Sequence, residues 1–314
     1  MTLDRRLFLS GAAVAMAAAN FPAPVFAGKQ RTDAWLAMQS VIGEIQAPRF
    51  APRTFDIAQF GAYVSAVGAI QKAIDACHAA GGGRVVVPAG IWRLDGPVQF
   101  KSNVELHLRK GAVLRFSGDP VHYLPVVLTR WEGTECYSYS PFIHAMNCEN
   151  IGLTGPGMVD GGGRENFLPW RYQQKADQDR LRQMGIDGVP VPERVFGAGS
   201  MLRPHFVQFM NCKRVLIENL TLINSPFWCV HPVYCEHVTI RGIHIHSLHL
   251  NSDGIDPDSS RYVLIEDCVV NVGDDCVAIK AGRDQDAWRV GKASEYIVIR
   301  NLLCANSAGG IISV

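Results

Sequence analysis

The sequence predicts an all-β fold, a right-handed parallel β-helix (solenoid) with an N-terminal capping helix, and three observations carry that expectation. Short apolar-x-apolar pairs recur through the second half of the chain, each followed closely by a second pair. The units begin at Val215, Val238, Val263 and Ile297, intervals that match one coil of a solenoid, the last of them lengthened by an insertion. Asn, Gly and Asp punctuate the pairs, without the Asn and Leu offsets of a leucine-rich repeat. A unit this short cannot bury its own faces and has to stack on its neighbours.

In chain order, the segment 1–27 reads as a leader. Arg5 and Arg6 precede an Ala-rich apolar stretch from Gly11 to Ala19, and Val25-Phe26-Ala27 offers small residues for cleavage. This pattern of a twin-arginine export signal places residues 28–314, a single domain, in a bacterial periplasm or outside the cell. A membrane anchor fits less well, because the stretch is short and Pro22 and Pro24 interrupt it. No later apolar run approaches the roughly 20 residues needed to cross a bilayer. Residues 66–80 then carry helical periodicity through Val67, Ile70, Ile74 and Cys77. Gly81-Gly82-Gly83 stops that helix ahead of the strand Arg84-Val85-Val86-Val87, the reverse of the order found in a phosphate-binding loop. The helix is expected to cap the open N-terminal end of the core.

The coils follow. Ile151-Gly152-Leu153 is a partial unit well ahead of Val215, which leaves a long connection over 161–204 to wall a binding face. The paired strands are Val215-Leu216-Ile217 with Leu220-Thr221-Leu222, Val238-Thr239-Ile240 with Ile243-His244-Ile245, Val263-Leu264-Ile265 with Cys268-Val269-Val270, and Ile297-Val298-Ile299 with Leu302-Leu303-Cys304. A polar insertion around Arg283 to Lys292 lengthens the third interval.

Composition narrows the function classes. Of 314 residues 48% are hydrophobic and 19% charged, enough for a sizeable core and against disorder. The formal charge of +1 falls to zero without the leader, and no basic run occurs, so a nucleic-acid partner is not expected. The nine cysteines are an odd number without Cys-x-x-Cys knuckles, which disfavours structural zinc. Cys148, Cys212 and Cys235 each stand just ahead of the first apolar position of their coil. Cys212 and Cys235 are near enough in register to bridge, and a stack of buried thiols is the preferred reading. Cys268 and Cys304 fall on core positions.

Chemistry concentrates in Asn251-Ser252-Asp253-Gly254-Ile255-Asp256-Pro257-Asp258 and in Gly273-Asp274-Asp275-Cys276. Asp253 and Asp274 are close to one coil apart along the chain, so adjacent rungs bring at least three acids to one face. Crowded carboxylates cannot all ionise together, which supplies a protonated acid beside an ionised base. Glycosidic hydrolysis needs that pair. Asp256, Asp258 and Asp267 are read as strand terminators, while adjacent Asp274 and Asp275 repel each other and call for another explanation. A calcium site is the rival reading of so many oxygens. His231, His244, His246 and His249 crowd the approach. His244 and His246 alternate with Ile243 and Ile245 and so face outward together, without a partner in register to make a metal pair. His231, about one coil before Asp253, and His249 are expected to line the sugar site.

At these motifs the chain resembles glycoside hydrolase family 28, the polygalacturonases, in its bacterial members. The likeness runs from Phe55-Asp56-Ile57 and Ile70-Gln71-Lys72-Ala73-Ile74 through Arg130-Trp131-Glu132-Gly133 to the end. Asn251-Ser252-Asp253-Gly254-Ile255-Asp256 resembles the family's Asn-Thr-Asp-Gly-Ile-Asp, and Gly273 to Lys280 its Gly-Asp-Asp segment. The resemblance implies inverting hydrolysis of α-linked galacturonate in pectin, without metal or organic cofactor, so the partner is a pectic polysaccharide or oligogalacturonide; a monomer is expected. It implies Asp274 as general acid, Asp253 and Asp275 activating water, and Asn251 and Lys280 holding substrate, Lys280 by pairing with a uronate carboxylate. Three departures stand beside it. Ala308 occupies the place of a family His in Ser307-Ala308-Gly309-Gly310, Ala62-Tyr63-Val64-Ser65 replaces a Gly-Asp-rich turn, and the sequence reaches Val314 before the family's Arg-x-Lys segment, as in a chain incomplete at its C-terminal end. A calcium-dependent β-helix pectate lyase and a non-catalytic carbohydrate-binding solenoid are the alternatives.

Overall fold

The computed structural model describes residues 26–162 and 167–314. The leader read over residues 1–27 lies outside the described residues except for Phe26 and Ala27, which open a helix, α1 (Phe26–Glu44). From residue 39 onward the chain forms a right-handed parallel β-helix with three strand-bearing faces. An eight-stranded sheet runs from Thr54–Asp56 to Glu295–Arg300, a seven-stranded sheet forms the second face, and a four-stranded sheet from Val98–Gln99 to Val230–Val233 the third. Single bridges continue the third face from Val230 to Ile255 and Val277, where strand Val277–Ala278 pairs with Ile312–Ser313.

The apolar pairs set the register. Ile151, Val215, Val238, Val263 and Ile297 are successive partners across the eight-stranded sheet, and Leu106, Leu153, Ile217, Ile240, Ile265 and Ile299 make a second column beside them. With period-2 alternation both columns point inward, and all but the two terminal isoleucines are buried. Each of the last four strands of this sheet begins and ends with a charge, and the sign alternates from rung to rung. Lys213, Glu236, Arg261 and Glu295 are partners at one end, and Glu218, Arg241, Glu266 and Arg300 at the other. Glu236 lies 3.6 Å from Lys213 and 3.3 Å from Arg261. Corners between paired strands fall on Asn219, Gly242, Asp267 and Asn301, all left-handed, a conformation that suits Gly, Asn and Asp. Asp267 is a terminator as expected, accepting from Asn301 Nδ2 at 2.9 Å.

Helix α2 (Ala66–Ala79) begins at Ser65, whose Oγ accepts from Gly68 N, and buries Ala66, Ala69, Ile70, Ala73, Ile74 and Cys77. It packs on the first strands and caps the core, as predicted. The connection over 161–204 is partly helical rather than an open loop. It carries α3 (Lys175–Ile186), and with the antiparallel hairpin Val127–Trp131 and Thr134–Ser138 it builds a satellite core of Trp131, Cys136, Leu181, Phe196, Leu202, Phe227 and Trp228. Cys148, Cys212 and Cys235 are free and buried, the expected thiol stack. Cys304 is not simply a core thiol: it forms a disulfide with Cys276.

Candidate active site

The acids stand where the third face passes from coil to coil. Gly254 N donates to Asp275 O at 2.9 Å and Ile255 N to Cys276 O, so the Asp253 and Asp274-Asp275 segments are adjacent rungs, as the spacing predicts. Two glycines permit this approach. A Cβ on Gly254 would lie 2.5 Å from Cys276 O, and one on Gly273 only 2.2 Å from His249 O. The Gly-Asp-Asp corner therefore needs its glycine because the backbone of the preceding coil runs directly beneath it.

Asp274 Oδ2 accepts from Asn251 N at 3.1 Å, and Asn251 is itself oriented by Arg203, whose Nη2 donates to Asn251 Oδ1 at 2.9 Å. Asp275 Oδ1 accepts from Ser313 Oγ at 2.7 Å and from Gly310 N. Gly309 presses against both acids: a Cβ there would lie only 2.4 Å from Asp275 Oδ1 and 2.9 Å from Asp274 Oδ1, while Ala308 beside it is exposed. Asp253 is buried, with Oδ2 at 3.1 Å from Lys280 Nζ. Burial, opposed by Lys280 and reinforced by Asp274 and Asp275, pushes its carboxyl up to about 6.

Lys280 has more partners than the sequence suggests. Its ammonium also lies 3.4 Å from Asp256 Oδ1 and 4.1 Å from the centroid of the Trp228 ring. Asp256 is therefore not a mere strand terminator. It is fully buried, burial pushes it well above the ordinary carboxylate range, and it shares one cation with Asp253. Lys280 occupies the point where carboxylates converge, and no group of three or more His, Cys, Asp or Glu able to hold a metal ion occurs among the described residues.

Asp258 also departs from the terminator reading. Its Oδ1 accepts from Arg130 Nη1 at 2.9 Å and from Gly282 N at 3.0 Å, and its Oδ2 lies 3.4 Å from His231 Nε2. Burial works against its ionisation, yet His231, Arg130 and the Gly282 N–H together hold it below its ordinary value. His231 consequently does not line a sugar site. It is fully buried, with Nδ1 at 3.0 Å from Gln208 and its ring packed against His205 and Trp228, and it supports the floor from below. His249 is half-buried at the corner under Gly273, with Nδ1 3.1 Å from Leu250 O and Nε2 3.1 Å from Ser247 Oγ. His244 and His246 are exposed and point outward, as expected.

Beside Lys280 a cleft of about 450 Å³ opens between the hairpin tip at Glu132-Gly133 and the turn at Gly282-Arg283-Asp284. The sequence gives no sign that Arg130, Arg194 and Arg203 are buried, because an arginine's spacing does not report its depth. The chemistry available is that of crowded carboxylates, among them Asp253 and Asp256 with raised affinity for a proton, beside the Trp228 ring and the Lys280 ammonium at an open cleft.

Comparison with known proteins agrees with this geometry. Residues 195–313 match glycosyl hydrolases family 28. An exopolygalacturonase from Thermotoga maritima is similar in structure, with a TM-score of 0.83 and 42% identity over 86% of this chain and 64% of that one. A probable polygalacturonase of Vitis vinifera is 34% identical over 242 residues, 74% of this chain and 44% of that protein. An endo-polygalacturonase of Pectobacterium carotovorum is 28% identical over 72% of this chain and 54% of that protein. The chain spans about half the length of these curated relatives. Taken with the coil register and the acids on adjacent rungs, these similarities show that the chain belongs to glycosyl hydrolase family 28.

Proposed function

We propose that the protein hydrolyses α-linked galacturonate in pectic polysaccharide by inverting acid/base catalysis. The observation that carries the reading is the convergence of Asp253, Asp274 and Asp275 from two adjacent rungs, with Asp253 paired to Lys280 on the wall of the cleft. Asp274, steadied by the Asn251 N–H, donates a proton to the glycosidic oxygen as its bond to the anomeric carbon breaks. Asp253 and Asp275 take a proton from the water that attacks that carbon from the opposite side. Burial makes Asp253 a stronger base than a solvated carboxylate, since it stays ionised above about pH 6 yet holds a proton more firmly. Asn251 and His249 border the site, and Lys280 sets the charge around Asp253.

The chain is proposed to work after twin-arginine export, as a monomer, with an oligogalacturonide or pectic polymer as its only partner. The test is reducing-end release from polygalacturonate, with and without EDTA, beside an Asp274→Asn control. Turnover that persists in EDTA and disappears in the control is expected. Turnover by Asp274→Asn at the wild-type rate would remove the mechanism, and an EDTA-sensitive, ultraviolet-absorbing unsaturated product would replace hydrolysis with a lyase reaction.

A further inference from the structure

Two cations line the cleft, Lys280 against the buried acids and Arg283 on the turn that follows, and they differ in what already holds them. Lys280 is committed: two buried carboxylates and the face of Trp228 surround its ammonium. Arg283 is held more loosely. Its guanidinium forms two ion pairs, each at 3.6 Å, with Glu132 and with its exposed neighbour Asp284, and its side chain makes no hydrogen bond among the described residues. Glu132 is meanwhile satisfied from another direction, by Gln178 Nε2 at 2.6 Å and Arg182 Nη2 at 2.7 Å, both on α3.

The backbone under Arg283 is fixed. Arg283 N donates to Gly133 O at 3.1 Å, and Gly282 N donates to the buried Asp258 at 3.0 Å. Gly282 has φ +86°, and a Cβ there would fall 1.9 Å from Arg130 Nη2, so only glycine lets the turn settle against the buried arginine. The result is a planar fork of donors, anchored at its base and open to the cleft, the arrangement that recognises a carboxylate.

We infer that Arg283 is the specificity-determining residue of the cleft, the one that receives the carboxylate of the uronate held beside the acids. The inference rests on the galacturonate reading above, and it reassigns to Arg283 the carboxylate pairing expected of Lys280. The test is titration of trigalacturonate, and of its fully methyl-esterified form, into the full chain and into Arg283→Gln and Arg283→Lys. A charge-assisted hydrogen-bonded pair corresponds to a roughly ten- to hundredfold loss. Arg283→Gln should therefore weaken the acid by about that factor and leave the ester within about twofold, which also reports that the variant is folded. Arg283→Lys should recover part of the loss. In turnover, KM for the acid substrate should rise while kcat holds within about twofold. Equal effects on acid and ester, or none on either, would overturn the assignment. Failure of the wild-type chain to bind trigalacturonate would instead defeat the galacturonate reading, and this assignment with it.

Discussion

Replacing Lys280 by Met separates two roles that a lysine beside acids can play. The side chain keeps its length and its place against Trp228, but the charge 3.1 Å from Asp253 and 3.4 Å from Asp256 is lost. At an effective dielectric near 20 a pair at that distance is worth roughly 5 kcal/mol, an upper bound that entering water reduces. Even one quarter of it raises the Asp253 carboxyl by about one pH unit. Asp253 starts at about 6, so at pH 6 its ionised fraction should fall from about a half to about a tenth. The assay is the pH dependence of kcat/KM on polygalacturonate. The acid limb should move up by a unit or more, with at least about a fivefold loss at pH 6 that narrows by pH 8. A uniform loss with an unmoved limb would refute the reasoning, and would mean that Lys280 acts on substrate rather than on Asp253.

Other outcomes follow from the same contacts. Asp253 has a folded value of about 6 against an ordinary 3.8, so its contribution to stability is full below pH 4 and is lost as pH rises through 6. Asp253→Asn should therefore be more stable than wild type at pH 8, by as much as about 3 kcal/mol, and no more stable at pH 4, which melting curves at the two pH values will read. Arg130→Met leaves Asp258 buried with only His231 and neighbouring donors, and should cost about 3–5 kcal/mol in denaturant unfolding; a loss below about 1 kcal/mol would mean the pair is not buried as described. The Cys276–Cys304 disulfide closes a separation of 28 residues, so its reduction should cost about 3–4 kcal/mol and lower the melting temperature, and an unchanged melting point would show that the bridge is absent in solution.

The parts of this molecule that were legible in the sequence are those governed by periodicity. Val215, Val238, Val263 and Ile297 are register partners because inward positions repeat once per coil, and the same arithmetic put Asp253 beside Asp274 and Asp275. What stayed hidden depends on depth and on contacts between distant segments. His231 sits one rung from the acids, as its spacing implied, but spacing along a coil does not say that a satellite core covers it. Asp256 and Asp258 look like any acid at the end of a strand until Lys280 and Arg130 are seen against them. Cys304 reads as a core residue from its place in an apolar pair, and only the approach of the Gly-Asp-Asp-Cys segment shows its partner. Arg283 lay in what looked like a polar insertion, and its neighbour Glu132 belongs to a hairpin several coils earlier in the chain.

The alternating charges along the last four strands of the eight-stranded sheet imply that this solenoid changes length more favourably by two coils than by one. A copy of residues 236–260 inserted after Ser260 would set Glu236 opposite a second Glu236 and Arg241 opposite a second Arg241, and like charges directly opposite are destabilising by about 0.2–1 kcal/mol each. A copy of residues 213–260 in the same place would preserve every alternation. The physical unit of duplication is therefore the pair of coils, although the hydrophobic pattern repeats with every single one. Comparing the melting temperatures of the one-coil and two-coil insertions tests this, and a one-coil insertion as stable as the two-coil form would show that the charges do not count.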